Sequence, residues 1–298
     1  MRRASRCATM VAGMTLLSSV AAAQGADPLT RPYTATECSN CVEWNTPQAP
    51  FRIHGNTWYV GTRGLAAILI TSPDGHVLID AALPNSAPLI VDNIRALGFE
   101  PRDVRLILNS HAHFDHSGGI AALQRASGAQ VAASGPSASV LERGASAPGD
   151  PQHGILAGFP PVQRVRRIRD GETLRAGRIA MTAHVTAGHT PGGTTWAWRS
   201  CAGGKCLEVV YADSQTPASA DGFRFSDSPA VAEFERGFRT LEALSCDILL
   251  TPHPVASALW ERVEGKGSGL IDPTACRRYA ATARERLAQR LETERTTR

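Results

Sequence analysis

The sequence predicts an α/β protein of two similar halves stacked face to face. Short apolar runs alternate with helical stripes in both halves, and turn residues punctuate them. A histidine-bearing loop follows a buried strand in the first half, and two further histidines stand in turn-rich segments of the second. The halves share no visible sequence identity, so the similarity is one of architecture.

Residues 51–60, 65–71 and 76–80 read as strands, separated by Gly61-Thr62-Arg63-Gly64 and Pro73-Asp74-Gly75. Residues 85–97 read as a helix with Leu89, Ile90, Ile94 and Leu97 on one stripe and Gly98 just past its end. A buried strand at 104–108 leads into His111-Ala112-His113-Phe114-Asp115-His116, and Ser117-Gly118-Gly119 opens a helix at 120–125. Residues 144–161, rich in Pro, Gly and Ala, read as a long surface loop. Strands return at 174–185, 194–199 and 207–211. A helix at 229–244, a strand at 246–250 and two further helices complete the chain.

The first residues read as an address. Arg2, Arg3 and Arg6 precede an apolar stretch over 8–20, and Ala21-Ala22-Ala23 supplies a small-residue cleavage pattern. A signal peptide over 1–23, a single domain over 24–298 and a periplasmic destination follow; a short uncleaved anchor is the alternative. The stretch is shorter than the roughly 20 residues of a spanning helix, and no other segment is long and apolar enough to cross a membrane. The formal charge of +4 includes the three leader arginines, so nucleic-acid binding gains no support. Arg164, Arg166, Arg167 and Arg169 alternate with Val165 and Ile168 and read as the solvated face of a strand. Monomer is the default expectation.

Of seven cysteines, Cys7 falls in the leader, and six remain for an oxidising compartment. Cys201 and Cys206 flank a hairpin-like Ala-Gly-Gly-Lys turn and are expected to pair. Cys246 and Cys276 would tie a late strand to the C-terminal helix. Cys38 and Cys41 remain, as a structural bridge or as a redox pair; the run into Trp44-Asn45-Thr46-Pro47 favours the bridge.

The chemistry concentrates in the histidines. His111 and His113 are two apart, so in extended backbone their side chains point the same way and can grip one metal ion. Asp115 and His116 follow as the chain curls into a helix and point elsewhere, so one loop can serve two adjacent metals. Imidazoles with one carboxylate suit zinc. His189 lies in Gly188-His189-Thr190-Pro191-Gly192-Gly193, where glycines let backbone approach closely. His253 lies between two prolines that hold it in stiff extended chain. His54, His76 and His184 lack such settings and read as structural or solvated; His153 belongs to the long loop, from which it could line a substrate groove, and is not counted among the site residues.

These segments, with Tyr211-Ala212-Asp213-Ser214 and Thr251-Pro252-His253-Pro254, resemble the ordered motifs of the metallo-β-lactamase superfamily, and more narrowly subclass B3. The resemblance runs from about Trp44 to the end, including Gly55-Asn56-Thr57-Trp58-Tyr59-Val60-Gly61 and Cys276-Arg277-Arg278-Tyr279. It implies a four-layer αββα sandwich with two Zn²⁺ at the edge of the stacked sheets. Carried over, His111, His113 and His189 would hold the first zinc, and Asp115, His116 and His253 the second. Ser214 stands where other zinc-dependent lactamases have a cysteine, which points to B3. Other superfamily hydrolases bridge their metals with an aspartate near this strand end, so Asp213 is an open alternative ligand.

The implied reaction is hydrolysis of a β-lactam amide by metal-bound hydroxide, with Asp115 as the catalytic carboxylate and no acyl-enzyme. No Ser-x-x-Lys signature suggests a serine mechanism. Ser214 and Thr216 would hydrogen-bond the substrate carboxylate or serve simply as turn residues, and Gln152 would reach the substrate from the long loop. Rival readings on the same scaffold are a thioesterase or lactonase, a diiron oxidoreductase, and a zinc-binding protein without catalysis.

Overall fold

The computed structural model describes residues 38–266 and 269–297 together with Met1; the rest of the expected signal peptide, Cys7 included, lies outside the described residues. The first sheet contains β1 (Phe51–His54), β2 (Thr57–Tyr59), β3 (Ile68–Ile70), β4 (His76–Ile79), β5 (Val104–Leu108), β6 (Gln130–Ser134) and β7 (Arg166–Ile168), hydrogen-bonded in that order. The second contains β8 (Thr173–Ala176), β9 (Ile179–Val185), β10 (Thr194–Ala202), β11 (Lys205–Tyr211) and β12 (Ile248–Leu250), in the order β12-β11-β10-β9-β8. The helices are α1 (Cys41–Trp44), α2 (Ala87–Ala96), α3 (Phe114–Ser117), α4 (Ile120–Ser127), α5 (Gly135–Arg143), α6 (Ala230–Ala243), α7 (Leu259–Val263) and α8 (Ala275–Thr296).

The two-residue period of the strands sorts the core into layers. On β3, Ile68 and Ile70 face the second sheet while Leu69 faces outward; on β5, Leu106 and Leu108 face in and Ile107 out. On β11, Val209 and Tyr211 enter the inter-sheet core, where they meet Trp196, Trp198 and Met181. The outer face of the first sheet is covered by Ile90, Val91 and Ile94 of α2, Leu123 of α4 and Leu141 of α5. Val210 and Leu249 on the outer face of the second lie under Phe234, Phe238 and Leu241 of α6 and Ala280, Ala283 and Leu287 of α8. The layers are therefore α, β, β, α, as expected.

Two predicted strands are hairpins. The 51–60 run reverses at Gly55-Asn56, where Gly55 takes φ +51° and a Cβ would come within 2.5 Å of the Cys201 carbonyl oxygen. The 174–185 run reverses at Gly177-Arg178 between β8 and β9. The Ala- and Ser-rich stretch holding β6 and α5 gives no clear sequence signal. Residues 144–161 hold neither helix nor strand, and Arg166 and Arg167 are exposed and paired with Glu172 and Glu142. The sulfur pairs Cys38–Cys41, Cys201–Cys206 and Cys246–Cys276 stand at bonding distance. Among the described residues no helix is long and apolar enough to cross a membrane.

Strand direction places the site. β4, β5 and β6 run parallel. β9 and β11 share a direction because each is antiparallel to β10, and β12 is parallel to β11. The segments leaving β5, β9, β11 and β12 are those that carry the candidate residues, and they meet at one edge of the sandwich.

Candidate metal centre

The loop after β5 is held from below. Asp80, at the end of β4, is buried and takes φ +57°, a conformation that strains a non-glycine residue by about 1–3 kcal/mol. Four donors offset that strain. Asp80 accepts from Asn109 Nδ2 (3.1 Å), Ser110 N (2.8 Å), Ser110 Oγ (2.6 Å) and Tyr211 Oη (2.9 Å). Asn109 Nδ2 also donates to the His111 carbonyl at 2.8 Å, so protein hydrogen bonds hold the backbone that bears the ligand candidates.

Two groups of donor atoms result. The ligand atoms of His111, His113 and His189 lie within 4.8 Å of one another, and so do those of His111, Asp115 and His116. Asp115 Oδ2 stands 3.2 Å from His116 Nε2 and 3.3 Å from His253 Nε2, and those two nitrogens face each other at 3.2 Å. Two ligands on a tetrahedral zinc at 2.0–2.1 Å are about 3.3 Å apart. The rings of His111 and His116 lie 4.4 Å apart, so the two groups adjoin.

The donor set fits a divalent cation. Buried His111 Nε2 has no hydrogen-bond partner among the described residues, an arrangement buried polar atoms otherwise avoid. Burial, with the neighbouring imidazoles, pushes His111 well below the ordinary histidine range and His189 down to about 3. Burial works to raise Asp115, but His116 and His253 outweigh it and hold the carboxyl well below its usual range. Neutral imidazoles and an ionised carboxylate are the forms that ligate.

Each first-group histidine is held from outside. His111 Nδ1 meets Asp213 Oδ1 at 2.7 Å, His113 Nε2 meets Asp150 Oδ2 at 2.9 Å, and His189 Nδ1 donates to the Thr216 carbonyl at 2.8 Å. Asp213 thus stands behind His111. Its other oxygen lies so near Gly193 that a Cβ there would approach to 2.2 Å, so Gly193 must lack one. Over His253 lies the ring of Trp44, at 5.1 Å between centroids.

The structure brings His111, His113, Asp115, His116, His189 and His253 together. Ser214 and Thr216 follow Asp213 along the same edge, with Ser214 buried and the Thr216 side chain exposed. Gln152 is half-buried beside Asp150, to whose Oδ1 its backbone N–H donates at 2.9 Å. His153 is exposed against Ser146, and His76 packs edge-on against Phe99. Sequence reasoning missed Asp80, Asp150 and the placement of Trp44. Asp150 stands between Gly149 and Pro151, a setting that marks a turn and says nothing of an imidazole partner.

The family model described as the metallo-beta-lactamase superfamily matches residues 60–200. Among solved structures, the Rm3 metallo-beta-lactamase aligns with TM-score 0.85 at 51% identity, covering 87% of this chain and all of that one. MEM-A1, a subclass B3 metallo-beta-lactamase from a soil metagenome library, aligns with TM-score 0.82 at 48% identity, covering 86% of this chain and 100% of its own. A curated relative, the N-acyl homoserine lactonase AttM of Rhizobium johnstonii, is 38% identical over 74 residues, or 17% of this chain; the chain spans only 28% of that protein. The shared sandwich, the histidine edge and near-complete coverage of these structures agree: the chain belongs to the metallo-β-lactamase superfamily, in the company of its subclass B3 enzymes.

Proposed function

We propose that the chain is a secreted, zinc-dependent β-lactamase that opens the β-lactam amide and so confers antibiotic resistance. The observation that carries this reading is the meeting of Asp115 Oδ2, His116 Nε2 and His253 Nε2 beside the His111–His113–His189 group, in a chain that overlays B3 enzymes along most of its length. His111, His113 and His189 hold one zinc; Asp115, His116 and His253 hold a second. When bound, zinc supplies water acidified to a pKa of about 7 and a Lewis acid for the ring carbonyl.

The chain's own residues do the rest. Asp115 turns Oδ2 toward His116 and His253, which leaves Oδ1 to take a proton from water and return it to the departing nitrogen. Ser214 and Thr216 hydroxyls hydrogen-bond the substrate carboxylate, and Gln152 contacts the substrate from the loop above. Residues 24–298 act as one domain and as a monomer on small-molecule β-lactams. The leader at 1–23 directs them to the periplasm, where the three cysteine pairs form.

The test is hydrolysis of a penicillin, a cephalosporin and a carbapenem by purified zinc-loaded protein, lost on chelation and restored by zinc. Inactivity of a fully loaded sample on all three rejects the reading. A lactonase is the second candidate, favoured by the AttM match; an acyl lactone in the same assay discriminates. Asp213 lying behind His111 speaks against a metal-bridging aspartate and hence against that alternative.

A further inference from the structure

The ring of His113 is turned over relative to its two companions. His111 and His189 direct Nδ1 outward, to Asp213 and to the Thr216 carbonyl, leaving Nε2 for the cluster. His113 directs Nε2 outward, to Asp150 Oδ2 at 2.9 Å. A neutral imidazole has one N–H and one lone pair. A carboxylate on Nε2 therefore places the proton there and the lone pair on Nδ1.

Asp150 comes from the irregular 144–161 segment, yet it is only 6% exposed. Its Oδ1 accepts the backbone N–H of Gln152 at 2.9 Å. The next residue, Pro151, accepts from Ala220 N at 2.8 Å, which joins this loop to the segment that follows Ser214 and Thr216. One side chain thus holds both a ring of the cluster and the turn that presents Gln152.

We propose that Asp150 is a positioning residue that fixes His113 as an Nδ1 donor and anchors the overlying loop, so that ion retention and the placement of Gln152 depend on one carboxylate. The proposal rests on His113 holding an ion, as argued above, but not on the identity of the substrate.

Zinc competition with a chromophoric chelator tests it. Asp150→Ala is expected to weaken one of the two bound zinc equivalents by about 10–100-fold. Asp150→Asn, whose amide oxygen still accepts from His113 Nε2–H, recovers most of that loss. Gln152→Ala raises KM and leaves zinc affinity unchanged. Long-range ¹H–¹⁵N spectra of the zinc-loaded wild type, which need no variant to fold, should show His113 protonated on Nε2 and His111 and His189 on Nδ1. Wild-type zinc affinity in Asp150→Ala, an Asn variant no better than the Ala variant, or His113 protonated on Nδ1 would each overturn the proposal. Zinc-loaded protein that hydrolyses no β-lactam would reject the activity while leaving these measurements decisive.

Discussion

Tyr211 Oη donates to Asp80 Oδ2 at 2.9 Å, joining the end of a second-sheet strand to the end of a first-sheet strand beside the loop that bears the candidate ligands. The same carboxylate receives Asn109 and Ser110, so it links the inter-sheet core to the loop that carries His111.

Removing either end of this contact has unequal effects. Tyr211→Phe leaves Asp80 three donors and is expected to cost about 1 kcal/mol. Asp80→Ala strands three residues' buried donors and is expected to cost about 3–5 kcal/mol, with lower zinc retention. Urea denaturation of the two variants checks the order; equal losses would contradict it.

His116→Ala removes one corner of the Asp115–His116–His253 group. Bound zinc is expected to fall from two equivalents to one, with kcat reduced roughly tenfold or more. Metal analysis after dialysis decides it, since undiminished zinc content would refute the ligand assignment.

Gly193→Ala tests the support of His111 from a distance. The new methyl would approach Asp213 Oδ2 to 2.2 Å and displace the carboxylate from His111 Nδ1. Zinc affinity should drop about tenfold or more, while the far-UV circular dichroism spectrum stays that of the wild type.

Glu294 provides a pH-dependent fastening between the C-terminal helix and residues 225–226. Near the end of α8 it accepts from Phe225 N and Ser226 N, both at 2.9 Å, and from Arg290 Nε at 2.8 Å. Burial works to raise its carboxyl, but these donors outweigh burial and hold it at about 2, below an ordinary 4.5. A depressed carboxylate stabilises the fold above its unfolded value and loses that contribution as pH falls toward the folded one. Glu294→Gln should therefore be less stable than wild type by about 1–3 kcal/mol near neutral pH, and the gap should close between about pH 4.5 and pH 2. A gap in urea midpoints that ignores pH would exclude the carboxylate as its source.

Much of the site was legible because its chemistry is local in sequence. His111, His113, Asp115 and His116 fall within one short loop, and the strand before it is apolar but for Arg105, so residue type and spacing carry the message together. His189 and His253 gained meaning only beside that motif. Asp150 was not legible, because its partner His113 is distant in the chain and nothing in Gly149-Asp150-Pro151 specifies an imidazole. The reversals at Gly55 and Gly177 were hidden because the residues on either side are good strand formers, and a two-residue turn barely interrupts that pattern. Asp80 looked like an ordinary strand terminus; its role depends on four donors that only the folded chain assembles.

The cluster draws His111, His113, Asp115 and His116 from the segment after β5 and His189 and His253 from segments after β9 and β12, so a cation seated there rivets the two sheets together. Metal supply then governs survival of the protein as well as turnover, since a ligand bound only by the native state adds to its stability in proportion to RT ln(1 + [L]/Kd). A chelator would act twice, silencing the enzyme and loosening the seam between its two sheets.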